Sequence, residues 1–93
     1  HFTYDENDPV KIKIEKIATD IYGADGVQFS DKAERILKIV HEMGIEHFPV
    51  CIAKTQYSFS AHAKQYGVAR GFNIKINDIV INNGAEFIVA IAG

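Results

Sequence analysis

FPVCIAKTQYSFS, residues 48–60, is the stretch that decides the fold, because it changes from an apolar run to a polar cluster at its middle. Residues 48–53 are apolar over a length that is typical of a short buried strand. Residues 54–60 bring together a cation, hydroxyls, an amide and a phenol, which is typical of an exposed loop. A polar loop that follows a buried strand is where α/β proteins usually place a functional site. The sequence therefore predicts an α/β fold with one candidate binding loop.

An amphipathic helix is predicted near the start of the chain. Asp8 would cap its free amides, and Pro9 suits the first helical position because its missing N–H would be unpaired there. Lys13 and Lys16 should face water, and Gly23 is expected to end the segment in a left-handed conformation. The apolar face consists of residues spaced by four, three and four positions, namely Val10, Ile14, Ile17 and Ile21.

A second amphipathic helix is predicted before the central stretch. Ser30 is its expected cap, Asp31 lies at the positive end of the helix dipole, and Gly44 is expected to end it. His41 near its carboxyl end is interpreted as a surface residue. The apolar stripe is expected to consist of Ala33, Ile36, Leu37, Val40 and Met43.

The remaining elements are predicted to be strands. Residues 27–29 form a short strand, residues 72–76 alternate apolar and polar side chains, and residues 79–81 begin a separate element. Residues 82–84, Asn-Asn-Gly, predict a turn, since Asn and Gly both tolerate positive φ. Residues 87–92 read as a strand buried on both faces. The predicted fold is α/β, a small mixed sheet with two amphipathic helices.

Composition narrows the class of protein. A chain of ninety-three residues is a single domain or a fragment of a larger enzyme. The fragment is favoured because the chain does not start with Met and because it ends on the apolar residues 87–92. A net charge of -2 gives no basic stripe for nucleic acid, and no apolar run is long enough to span a membrane. The single cysteine, Cys51, is expected to be a small buried residue, and with His47 it falls short of a metal site. It weakly favours a reducing compartment.

The polar cluster after the central strand has two readings. Lys54 could hold an anionic group, with hydrogen bonds supplied by Thr55, Gln56, Tyr57 and Ser58. Alternatively, these residues form a polar loop that caps its own turns, with Ser60 starting a short helix. The residue types alone leave both readings open.

Residues 49–60 resemble a segment of formate–tetrahydrofolate ligase, and the uninterrupted run over residues 51–58 carries most of the resemblance. Further blocks agree in order and spacing: residues 15–18, 21–27, 70–72, 84–85 and 87–90. The resemblance implies a fragment from the C-terminal part of a longer cytoplasmic enzyme. That family joins formate to tetrahydrofolate with ATP, giving 10-formyltetrahydrofolate, ADP and phosphate. Its P-loop lies elsewhere, and this chain has no such motif.

The resemblance implies that this piece forms part of the nucleotide and folate cleft without being catalytic alone. The expected substrate-binding residues are Lys54, Thr55, Gln56, Tyr57, Ser58, Asn83 and Gly84, and no catalytic or metal-binding residue is expected. ATP and tetrahydrofolate would be substrates of the parent enzyme and would not bind the fragment alone. The expected partners are the remainder of that enzyme and possible further copies of it, with no nucleic acid and no membrane.

Two departures from the family pattern bear on the site. Residues 61–63, Ala-His-Ala, stand where the family commonly has two acids and a proline, which puts a charge role for that loop in doubt. Glu86 stands where the family commonly has Gly, and it adds bulk and charge to the hairpin. The alternative hypothesis is a structural or oligomer-interface region without ligand contacts, and the apolar strand over residues 87–92 motivates it.

Overall fold

The computed structural model describes residues 3–54 and 71–93. Its elements in chain order are α1 (Val10–Asp20), β1 (Gly26–Phe29), α2 (Asp31–Met43), β2 (Val50–Lys54), β3 (Asn73–Asn82) and β4 (Phe87–Ala92). The strands form one sheet in the order β1-β3-β4-β2. The pairs β1/β3 and β2/β4 are parallel, and β3/β4 is antiparallel. The predicted α/β fold with a small mixed sheet and two helices is confirmed.

The core lies between the two helices and one face of the sheet. Alternate residues of β4 are buried, so only one side of this central strand is fully covered. The prediction that residues 87–92 are buried on both faces is therefore wrong for the part of the chain that the structure describes. The largest fully buried apolar side chains come from both layers: Val10, Ile14, Val40, Ile74, Ile76 and Ile88.

The first helix begins with a different cap from the one predicted. Asp8 makes no cap; its carboxylate accepts hydrogen bonds from Lys16 Nζ at 2.7 Å and from the amide of Asp5. The buried amide of Val10 instead donates to Glu46 Oε1 at 2.8 Å. A carboxylate at this position also complements the positive end of the helix dipole. The cap comes from a loop 36 residues away in sequence, which local pattern could not predict.

Two residues that were assigned to faces of the first predicted helix differ from the prediction in burial. Lys13 was expected to face water but is completely buried, whereas Ile21 was expected in the core but is 62% exposed. Ile21 lies just beyond the last helical residue, so the helical spacing no longer directs it inward. Gly23 has a φ of 73°, which agrees with the predicted left-handed conformation.

The boundaries of α2 follow the sequence signals. Ser30 Oγ accepts a hydrogen bond from the amide of Ala33 at 3.0 Å, and Gly44 closes the helix with a φ of 71°. Met43 was predicted to be in the apolar stripe but is 47% exposed, because it is the last residue of the helix. Within residues 3–54 and 71–93, neither helix is long and apolar enough to cross a membrane.

The second half of the chain forms a hairpin. The two elements predicted over residues 72–81 are one strand, β3, with a register shift between Ile76 and Asp78. The predicted turn is present, and the amide of Ala85 donates to Asn82 Oδ1 at 2.9 Å. The positive φ falls on Glu86, at 60°, rather than on the Asn or Gly residues that were expected to adopt it.

Candidate functional site

The candidate site begins at Lys54, the last residue of β2. Its side chain is exposed, and its backbone pairs with Ala92 at the carboxyl end of the parallel pair β2/β4. Side chains alternate along a strand, so Lys54 lies on the same face as Val50 and Ile52, the face that α1 covers. The other four residues of the predicted loop site lie outside the described residues: Thr55, Gln56, Tyr57 and Ser58.

A groove runs beside β2 toward this end of the sheet. Its volume is about 350 Å³, near the lower end of the range that is typical of small-molecule sites. The Tyr4 hydroxyl lies at its wall and accepts a hydrogen bond from the amide of Val50 at 3.1 Å. Lys54 follows Ile52, the last lining residue of β2, by two positions, or about 7 Å along the strand. The lining comes from the N-terminal segment, the end of α1 and β2: Thr3, Tyr4, Ile17, Ile21, Tyr22, Val50, Cys51 and Ile52.

Sequence reasoning missed this groove. The signal that could have indicated it was Ile21, an apolar residue that continues the helical spacing just past the last residue of α1 and before the glycine-rich turn. With 62% of its surface exposed, Ile21 contributes to the groove instead of the core. Cys51 was also misjudged. It is exposed, because β2 is an edge strand of the described sheet and neither described helix covers its second face.

Other segments converge on the same end of the sheet. The turn between α1 and β1 lies there, because β1 starts opposite Asn73 and Ile76 pairs with Ala92. The amide of Asp25 donates to the carbonyl of Phe72 at 2.9 Å and ties that turn to the start of β3. One block that carries the family resemblance, residues 21–27, and the described part of another, residues 71–72, therefore border the end of the sheet at which Lys54 lies.

Asn83 and Gly84 lie at the opposite end of the sheet. The hairpin turn precedes Phe87, and Ile88 pairs with Val50 at the start of β2. Val50 and Lys54 are four residues apart along β2, which corresponds to about 13 Å of extended strand. The turn adds to this distance. The structure therefore does not bring these two residues together with Lys54, although all three were expected to bind substrate.

A buried lysine fixes the path of the chain into β2. Lys13 Nζ donates to the carbonyls of Glu46 at 2.7 Å and Phe48 at 3.0 Å, and it lies 5.3 Å from the centre of the Tyr4 ring. Burial lowers the pKa of Lys13 from its ordinary value, while nearby carboxylates, first of all Glu6, act in the opposite direction. This ammonium and the Glu46 cap hold the connector between α2 and β2 against α1.

Comparison with known proteins identifies the family. The family description "Formate--tetrahydrofolate ligase" matches residues 1–93. The chain belongs to the formate–tetrahydrofolate ligase family. Curated formate–tetrahydrofolate ligases are 60% identical over 92 residues in Bacteroides fragilis and 50% identical over 92 residues in Parabacteroides distasonis. The ligase of Caldicellulosiruptor saccharolyticus is 50% identical over 93 residues.

These matches cover 99% or 100% of this chain but only 17% of the length of each of these ligases. The family suggested by the run over residues 51–58 is therefore confirmed. The matches do not support the expected position in the C-terminal part of the longer enzyme. They also leave the role of individual residues, Lys54 included, as a prediction.

Proposed function

We propose that this chain is part of an ATP-dependent ligase that joins formate to tetrahydrofolate, giving 10-formyltetrahydrofolate, ADP and phosphate. Within that enzyme it forms one wall of the nucleotide and folate cleft. It supplies binding contacts and no catalytic group, so the 93 residues alone are inactive. ATP and tetrahydrofolate are substrates of the whole enzyme, which acts in the cytoplasm.

The arrangement of Lys54 and the groove is the observation that supports this proposal. The groove beside β2 is largely apolar, and a ring system could lie against Ile52 and Ile21. Lys54 lies two residues beyond the lining of this groove, at the carboxyl edge of a parallel strand pair, where α/β sheets commonly bind ligands. Both substrates carry phosphate or carboxylate groups that an ammonium can bind.

The residues in the proposed wall have different tasks. Lys54 neutralises negative charge on the bound substrate, and Gln56 with its neighbours Thr55, Tyr57 and Ser58 orients the ligand by hydrogen bonds. Asn83 and Gly84 lie too far along the sheet to contact the same group as Lys54. If they bind substrate, they contact a different part of it.

The test is steady-state kinetics of the full-length ligase that contains this chain. Lys54→Ala and Gln56→Ala are compared with Lys38→Ala, which removes an exposed lysine from the outer face of α2. Loss of one charge-assisted hydrogen bond costs roughly 1.5 kcal/mol or more, so Lys54→Ala should raise the KM for ATP or tetrahydrofolate at least about tenfold. Lys54→Arg should recover part of the loss, and Lys38→Ala should behave as wild type.

A second candidate function is purely structural, and the half-buried apolar side chains of β4 on the sheet face that the two described helices leave uncovered favour it. In that case the chain would stabilise the parent enzyme or an oligomer interface without contacting substrate. The variants at Lys54 and Gln56 would then lower the thermal stability and leave both kcat and KM unchanged. Unchanged kinetics in both variants would reject the proposed cleft wall.

A further inference from the structure

The sheet face that points away from α1 and α2 carries a compact apolar patch. Cys51, Val89 and Val80 form one row across three strands, because Cys51 pairs with Val89 and Val89 pairs with Val80. Ala53 and Ile91 form the next row. We call this surface the open-face patch and define it as Cys51, Ala53, Val80, Phe87, Val89 and Ile91.

The patch differs from the rest of the same face. Val80 is 48% exposed and Cys51 is exposed, whereas Ile88 on the helix side of β4 is completely buried. Polar side chains occupy other positions of the same face in the described strands: Gln28, Asn73, Lys75 and Asn82. Apolar side chains are therefore confined to β2, β4 and the end of β3, as expected if a neighbour covers only that half of the sheet.

The pairing of the strands bears on what kind of neighbour would cover the patch. All-parallel sheets almost always have both faces covered, usually by helices, and in this mixed sheet the parallel pair β2/β4 has the two described helices on one face. The patch is three strands wide, or about 10 Å, which matches the diameter of one α-helix. One apolar helix face would cover it.

We propose that the open-face patch is the docking surface for a helix from the remaining part of the ligase polypeptide. This proposal rests on the proposed function, in which the chain is a segment of a longer ligase. The relatives leave ample chain for such a helix, since the matched segment is 17% of their length. A second copy is a poorer occupant, because six side chains fall short of the 20–30 residues a side in a stable interface.

Photo-cross-linking in the full-length ligase tests this proposal. Val80 is replaced by photoreactive p-benzoylphenylalanine, and the matched control carries the same group at Lys75 on the polar half of the face. Irradiation should join position 80 to a peptide of the same polypeptide outside the 93 residues. The control should give little cross-linked product. A cross-linked dimer, a cross-link within the 93 residues, or equal yields at both positions would overturn the proposal.

The wild-type thiol of Cys51 provides a second readout that needs no substitution in the patch. Modification of Cys51 by N-ethylmaleimide, followed by peptide mass spectrometry, should be at least about 100-fold slower in the native ligase than in urea. A cysteine introduced as Lys75→Cys should react quickly in both. Fast reaction of native Cys51 would show an uncovered patch and reject the docking helix.

The two proposals fail in different experiments. If the Lys54 variants leave KM unchanged while position 80 cross-links as expected, the cleft wall is rejected and the docking surface stands. If KM rises and no cross-link forms, the docking surface is rejected and the cleft wall stands.

Discussion

Replacing Lys13 by methionine should loosen the segment that leads into β2. The substitution keeps an unbranched apolar side chain that is one atom shorter, and it removes the ammonium that binds the carbonyls of Glu46 and Phe48. Each buried carbonyl left without a partner costs about 1–3 kcal/mol, and the loss is partly offset because a buried charge is also removed. We expect the free energy of local opening to fall by about 2 kcal/mol, which corresponds to about 30-fold faster amide exchange.

Hydrogen exchange of the full-length ligase, followed by mass spectrometry, measures this effect in peptides that cover residues 45–52. The amides of Phe48 and Val50 are informative because both are hydrogen-bonded next to the Lys13 site. Lys16→Met is the matched control, since it removes a partly exposed lysine from the same helix. Its pair with Asp8 is a surface ion pair, which contributes little to stability.

The result that would refute this reasoning is specific. Exchange over residues 45–52 that is unchanged in Lys13→Met would mean that the two carbonyl bonds do not hold the connector. Equal loosening by Lys16→Met would mean that the lysines act through overall charge. Lys13→Arg should be intermediate, because a guanidinium keeps the charge but must fit a site shaped for an ammonium.

Three further outcomes are expected. Ser30→Ala removes the cap of α2 and the bond from Ser30 Oγ to the Asn77 carbonyl. The free energy of local opening at the start of α2 should fall by about 1 kcal/mol, so amide exchange there should be about fivefold faster. Unchanged exchange would contradict the cap. Glu86→Gly and Gly44→Ala should have opposite effects, because both positions have left-handed φ. Glu86→Gly should raise the free energy of local opening in the β3–β4 hairpin by up to about 1 kcal/mol and slow amide exchange there, whereas Gly44→Ala should lower it by a similar amount at the end of α2 and speed exchange. A change of exchange rate in the same direction in both variants would count against this. The hydrogen bond from Lys16 holds the pKa of Asp8 below its ordinary value of 3.8. The pair therefore stabilises the fold above that pH, and its contribution is lost as the pH falls further. The thermal unfolding midpoint of Asp8→Asn should approach that of wild type in acid, and a constant difference between the two midpoints at all pH values would argue against the pair.

The local signals in the sequence predicted the elements that depend on local chemistry. Ser30 and Gly44 bound α2 because a side-chain acceptor and a left-handed residue act within a few positions of themselves. The alternation in β3 and the apolar run of β4 likewise depend on neighbouring residues. These features predicted the mixed sheet and both helices.

The features that were missed depend on contacts distant in sequence. A lysine in a surface helix is normally exposed, but Lys13 lies on the buried face of α1. Its burial is favourable because of the carbonyls of Glu46 and Phe48, which are more than 30 residues away in sequence. The predicted cap of α1 was wrong for the same reason, because Glu46 rather than Asp8 accepts the hydrogen bond from the Val10 amide. Whether Cys51 is buried depends on strand order, which periodicity does not reveal.

The candidate site was only partly predictable. The change from strand to polar residues located Lys54 at the carboxyl end of β2, where the structure has it. The separation of Asn83 and Gly84 from Lys54 follows from the parallel register of β2 and β4, and a linear sequence gives no information on that register. The groove along β2 also depends on this arrangement, since residues of α1 and β2 line it together.

The most direct test of the proposed cleft wall is the binding of ATP and tetrahydrofolate to the full-length ligase, measured by titration of wild type, Lys54→Ala and Lys38→Ala. The proposal predicts a Kd for at least one substrate that rises about tenfold or more in Lys54→Ala and stays at the wild-type value in Lys38→Ala. Wild-type Kd values for both substrates in Lys54→Ala would contradict the claim that the carboxyl end of β2 contacts substrate.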